Sequence, residues 1–206
     1  MQENNIKSKE ELIEKILQKE WDFFSKLHNI GGRASCQDNK EDFIIMRKAQ
    51  WLTFNLETLK SYWRDLNSDK NPLFEKYARM MKDNMPDEYE KVKDNLESIS
   101  LEKKALVNKI MLVYMEWEEE FFSLFPMYSS MGRPLYTFQD SLEDTSIETY
   151  LRGELYSYSE ETLKLYYEYI NSMYIDGINL AIKNMDIIAQ MQGFKDSRDV
   201  EKYYRK

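Results

Sequence analysis

Residues 8–51 read SKEELIEKILQKEWDFFSKLHNIGGRASCQDNKEDFIIMRKAQW, two apolar-periodic segments joined by a polar break with a Gly pair. In the first segment Leu12, Ile13, Ile16, Leu17, Trp21, Phe24 and Leu27 recur at helical period, and Ser8 with Glu11 has the spacing of a capping box. The pattern predicts a helix over 8–28. Gly31 or Gly32 supplies the left-handed residue that often ends a helix. A second helix is expected to open at Asp38, where Asp38 and Glu41 repeat the capping spacing. It runs through Phe43, Trp51, Phe54, Leu59, Tyr62, Trp63 and Leu66.

The same reading extends along the chain. Pro72 suits the first turn of a third helix, and a shorter, more polar one follows Pro86. Ser100 opens a fifth with Leu106, Ile110, Val113, Tyr114, Trp117 and Phe121 on one stripe, ending before Pro126. Residues 125–144, FPMYSSMGRPLYTFQDSLED, lack helical period and are expected to form an ordered loop, with LYTF the one place for a short strand. Thr145 with Glu148 caps a short helix. Ser157 with Glu160 opens a long one reaching Gln192, with Gly177 as a kink, and DSRDVEKYYRK makes a last amphipathic helix. The expected architecture is all-α: a single domain over 1–206, a bundle of about four long and three or four short helices.

Composition excludes several classes. Hydrophobic residues make up 42% of the chain, enough for a sizeable core, and six Gly with four Pro are too few for the frequent turns of an all-β domain. The net charge is −8 with Lys and Arg dispersed among acids, so no nucleic-acid partner is expected. MQENNIKSKEE has no apolar leader core, and no window approaches the roughly 18 apolar residues of a spanning helix. No membrane partner and a cytoplasmic location are therefore expected. One Cys and one His rule out an internal disulfide and thiolate or imidazole metal clusters, so no metal site is predicted.

The blocks NIGGRASCQDN, FIIMRKAQW, EKYARMM and TSIETYLRGELYSYSEETL, with GINLAIKNM and QGF nearer the C-terminus, resemble the hallmark blocks of a bacterial family, domain-of-unknown-function family 4125. The resemblance covers most of the chain and implies a helical fold. It carries no activity and no cofactor.

Arginine usage points to a site. Arg33, Arg47, Arg64, Arg79, Arg133 and Arg152 all fall in or near these blocks in a chain that otherwise prefers Lys. Arg is the residue that holds carboxylate or phosphate through two parallel donors. The expected site is a polar pocket at one end of the bundle, where the GGR loop, the MGRP loop and the SIETYLRGELYSYS helix meet. Arg33, Gln37, Asn39, Arg133, Glu148, Tyr150, Arg152 and Glu154 would bind a small anionic or polyhydroxylated molecule there.

Two other readings stand beside it. In one the chain is a structural or protein-interaction module without a ligand, its Arg residues pairing locally as Glu148 and Arg152 do at four residues' spacing. In the other Cys36 is a nucleophile served by His28, with Gln37 as an oxyanion donor. The acidic run Glu116, Glu118, Glu119 and Glu120 reads as a solvated face. A carboxylate-only magnesium site at Asp144, Glu148 or Glu154 is a further alternative. Homodimerisation is expected on symmetry grounds alone.

Overall fold

The structure is a computed structural model that describes residues 8–27, 33, 37–68, 70–141 and 144–205. Eleven α-helices account for most of these residues: α1 (Lys9–Phe24), α2 (Lys40–Thr53), α3 (Leu56–Leu66), α4 (Pro72–Asn84), α5 (Pro86–Val92), α6 (Leu101–Leu124), α7 (Pro126–Ser129), α8 (Ile147–Ser157), α9 (Glu160–Ile175), α10 (Leu180–Met191) and α11 (Ser197–Tyr204). Among the described residues there is no strand, and LYTF instead enters a 3-10 turn at Thr137–Gln139.

Short polar side chains set most of the starts. Ser8, Ser100 and Pro72 act where the sequence put them: Ser8 accepts from the Glu11 amide, Ser100 from the Lys103 amide, and Pro72 opens α4. Three starts fall one or two residues later than expected, at Asn39, Ser146 and Ser159, because these side chains reach an amide three residues on.

Two helices that the apolar stripes made continuous are each broken. The one expected over 38–66 stops at Phe54, whose backbone turns extended, and Asn55 caps α3. The one expected to reach Gln192 stops at Asp176. Gly177 follows at φ +69°, and Asn179 caps α10. Both breaks have local polar caps that a hydrophobic period does not register. Tyr174 and Ile178, on either side of the second break, are exposed, while Leu163, Ile170, Ala181 and Ile188 on α9 and α10 are buried.

The main core joins α1, α2, α3, α6, α8, α9 and α10. Its largest buried side chains are Trp51, Tyr62, Tyr158, Tyr166 and Phe54. Each such burial contributes about 1.5–3 kcal/mol. A smaller cluster at Phe121, Phe125, Tyr128, Ala189 and Val200 docks α7 and α11 at the far end of α6. The helix pair α4 and α8 packs most extensively. Gly153 makes this approach close: a Cβ there would meet Met80 Cγ at 2.7 Å and the Lys76 carbonyl at 3.1 Å.

Gly153→Ala therefore sets overpacking of about 1–3 kcal/mol against a helix-propensity gain of at most about 1 kcal/mol. The urea midpoint is expected to fall. A midpoint that rises would mean the two helices do not approach this closely.

Candidate functional site

Four buried charged side chains meet in the interior, one from each of four helices: Glu20 on α1, Arg47 on α2, Lys76 on α4 and Glu154 on α8. All four occupy positions on the buried stripes of their helices, and the two negative and two positive charges cancel. The Arg47 guanidinium lies between the carboxylates. Its Nε donates to Glu20 Oε2 at 3.1 Å and its Nη1 to Glu154 Oε1 at 2.9 Å, while Nη2 donates to Glu20 Oε1. Lys76 Nζ donates to Glu154 Oε2 at 2.7 Å.

Neutral donors complete both acids. Glu20 also accepts from Trp51 Nε1 at 3.0 Å and the Tyr62 hydroxyl at 2.7 Å. Glu154 accepts from Gln50 Nε2 at 2.8 Å and the Tyr158 hydroxyl at 2.7 Å. The same aromatic rings wall the cluster, with Arg47 4.6 Å from the Trp51 ring centre, Trp51 stacked on Tyr62 and Tyr62 against Tyr158.

These surroundings determine the protonation states. Burial alone would raise the Glu154 carboxyl, but Arg47 and then Lys76 outweigh it and hold it well below the usual carboxylate range. Burial opposes the charge on Arg47, yet Glu154 and Glu20 raise its pKa further. Burial and then the Glu20 carboxylate push the Tyr62 hydroxyl well up, so it remains a donor. The network reaches towards the surface through Tyr150, whose ring centre lies 3.6 Å from Lys76 Nζ and 4.6 Å from the Arg133 guanidinium. Burial would raise the Tyr150 hydroxyl, and Lys76 lowers it overall.

The structure divides the residues singled out in the sequence between two regions. Gln37 is buried and donates to the Phe24 and Leu27 carbonyls at 2.8 and 2.9 Å, closing the C-terminal end of α1. Arg33 holds Asp38 and the Ser25 and Gln37 carbonyls, and Asn39 caps α2. Around α8, Arg133 donates to the Thr145 carbonyl and faces Tyr150, while Arg152 joins Glu148 at 3.2 Å to Asn108. Glu154 is thus brought together with Arg47 and Lys76, and among the described residues it shares no hydrogen-bond partner with Arg33 or Arg152. Glu148 and Glu154, two of the carboxylates considered for magnesium, are each held by cations of the chain itself. Cys36 and His28 lie outside the described residues.

Glu20, Arg47 and Lys76 escaped the reading of the sequence as site residues, although a signal was present. A charged residue stands in the apolar stripe of each of four helices, two of each sign. Away from the network, a recess of about 440 Å³ is lined by Lys19, Asp22, Phe23, Lys26 and Asn71.

The outer side of α6 is the other feature of note. At 100° per residue Leu101, Ala105, Asn108, Leu112, Glu116 and Glu119 share one face, and all are exposed. Tyr174 donates to Glu116 at 3.0 Å, Tyr136 to Glu119 at 2.9 Å, and Asn179 to Glu120 at 2.9 Å. Among the described residues none of these three carboxylates forms an ion pair. Glu118 is half-buried, and desolvation pushes its carboxyl up to about 7.

Fold and interior together define an all-helical protein whose core is built on a neutral, saturated cluster of four charges. The chain belongs to the family described as "Protein of unknown function (DUF4125)", whose model matches residues 10–202. Neither the curated proteins nor the solved structures contain a match. The blocks that carry the family resemblance supply Arg47, Gln50, Trp51, Lys76, Tyr150, Gly153, Glu154 and Tyr158. Among the described residues no helix is long and apolar enough to cross a membrane.

Glu154→Gln would leave Arg47 and Lys76 buried against a neutral amide, with an expected loss of about 3–5 kcal/mol in urea unfolding. A carboxyl whose folded pKa is depressed contributes stability that is present above its unfolded value and lost as pH falls towards its folded value. Wild-type stability should therefore decline below about pH 5, and the decline should be shallower in the variant. Parallel pH profiles would contradict the assignment.

Proposed function

We propose that the chain is a helical protein-interaction module that docks a partner on the outer face of α6, and that the buried charge cluster holds this face in shape. The carrying observation is three strongly exposed apolar side chains, one on α6 and two on segments whose tyrosines bond to it. Leu112 is 75% exposed in mid-helix, Phe138 is 84% exposed on the turn beside it, and Ile175 is 74% exposed at the end of α9. Large apolar groups left exposed together mark interaction surfaces.

The two sites outside α6 are tied to it by hydrogen bonds of neighbouring tyrosines. Tyr136 stacks on Phe138 at 5.4 Å and bonds Glu119, and Tyr174, next to Ile175, bonds Glu116. The interior cluster supports the same reading from the other side. Glu20 accepts from Arg47, Trp51 and Tyr62, and Glu154 from Arg47, Gln50, Lys76 and Tyr158. Carboxylates so filled have structural work and little capacity left for a substrate.

A photo-crosslinking residue replacing Leu112 tests this in the native host. A discrete adduct with another polypeptide is expected at Leu112, lost when Ile175→Asp is added, and none is expected from the same residue at exposed Lys60 on α3. No adduct at Leu112, or equal adducts at both positions, would contradict the proposal.

A further inference from the structure

The charge of the α6 face selects among partners. Residues 110–151 carry eight carboxylates and one basic residue, Arg133, an excess of seven negative charges in a chain whose total is −8. Residues 165–182, which bring Tyr174 and Ile175 to α6, contain Glu168 and Asp176 and no Lys or Arg. Glu116, Glu119 and Glu120 are exposed on the C-terminal half of α6, beyond Leu112, while Lys104 and Lys109 are exposed on its N-terminal half. Among the described residues Glu116, Glu119 and Glu120 accept from tyrosine hydroxyls and an Asn amide and form no ion pair.

Resting on the docking reading above, we infer that the partner is a cationic amphipathic helix of another protein, its apolar stripe on Leu112, Phe138 and Ile175 and its Lys or Arg residues on Glu116, Glu119 and Glu120. Ridge spacing supports a helix. Leu112, Glu116 and Glu119 succeed one another at four and three residues, the spacing at which a second helix places apolar and charged side chains on one stripe. Unpaired carboxylates around an apolar centre attract and orient a positively charged segment.

The alternatives meet repulsion. Parallel twofold pairing of two copies through this face would set each carboxylate ridge against its own image. Anionic lipid and nucleic acid are repelled by the same charges.

The test uses the full chain and a fluorescent Leu/Lys peptide of about five helical turns, with leucines at three- and four-residue spacing. Its controls are the same composition scrambled and the same pattern with Glu for Lys. The patterned cationic peptide is expected to bind at least about ten-fold more tightly than either control, and to weaken on adding salt as exposed charges are screened. Combined Glu116→Gln, Glu119→Gln and Glu120→Gln should weaken it about ten-fold or more, with the far-ultraviolet circular dichroism unchanged. Leu112→Asp should do the same. These positions are solvent-facing, so loss of fold is not expected.

Equal binding of the scrambled peptide would reduce the effect to bulk charge and overturn the inference, as would equal binding of the Glu peptide or no binding at all. If peptide binding fails while the Leu112 crosslink forms, the partner class falls and the docking face stands. If both fail, the face itself is lost.

Discussion

Arg47 donating to Glu20 and Glu154 at once is the contact on which the rest of the structure depends. It joins α1, α2 and α8, and the Lys76 bond to Glu154 adds α4. Ions buried this deeply are costly to desolvate, and only a complete set of opposite charges and hydrogen bonds offsets that cost. The cluster meets this condition with net charge zero and with Trp51, Tyr62, Tyr158 and Gln50 as added donors. Apolar side chains could fill the same volume in many registers, whereas a guanidinium bridging two fixed carboxylates accepts few. The close approach of α4 and α8 at Gly153 belongs to the same arrangement, since it brings Lys76 within reach of Glu154.

Interior and exterior divide the charge of the molecule differently. Inside, two acids and two bases neutralise one another. On the outer side of α6, Glu116, Glu119 and Glu120 bond neutral donors and, among the described residues, form no ion pair. Three of the family blocks supply Arg47, Lys76 and Glu154 to the first region, and the exposed residues of α6 stand outside all the blocks.

Much of the fold was legible because helical period and capping are local. Ser8, Pro72 and Ser100 start helices where their chemistry says they should. The breaks at Asn55 and Gly177 were not legible, because apolar residues continue through both and only a cap or a positive φ reveals the turn. At the site, Glu154 and Tyr150 were visible from their block. Glu20, Arg47 and Lys76 were missed as its partners, since Arg residues were weighed by their nearness to glycine and not by their place in an apolar stripe. The segregation of charge over 110–151 was also present in the sequence. It gained meaning only when Tyr136 and Tyr174 were seen to flank α6.

The central claim is that Glu154 stays ionised in the interior because Arg47 and Lys76 hold it. The most direct measurement follows the carbon-13 shift of the Glu154 carboxyl in the folded protein as pH is lowered. The account predicts no protonation step through the usual carboxylate range, near pH 4–5, for as long as the chain remains folded. A step in that range, like that of a solvent-exposed glutamate, would contradict it.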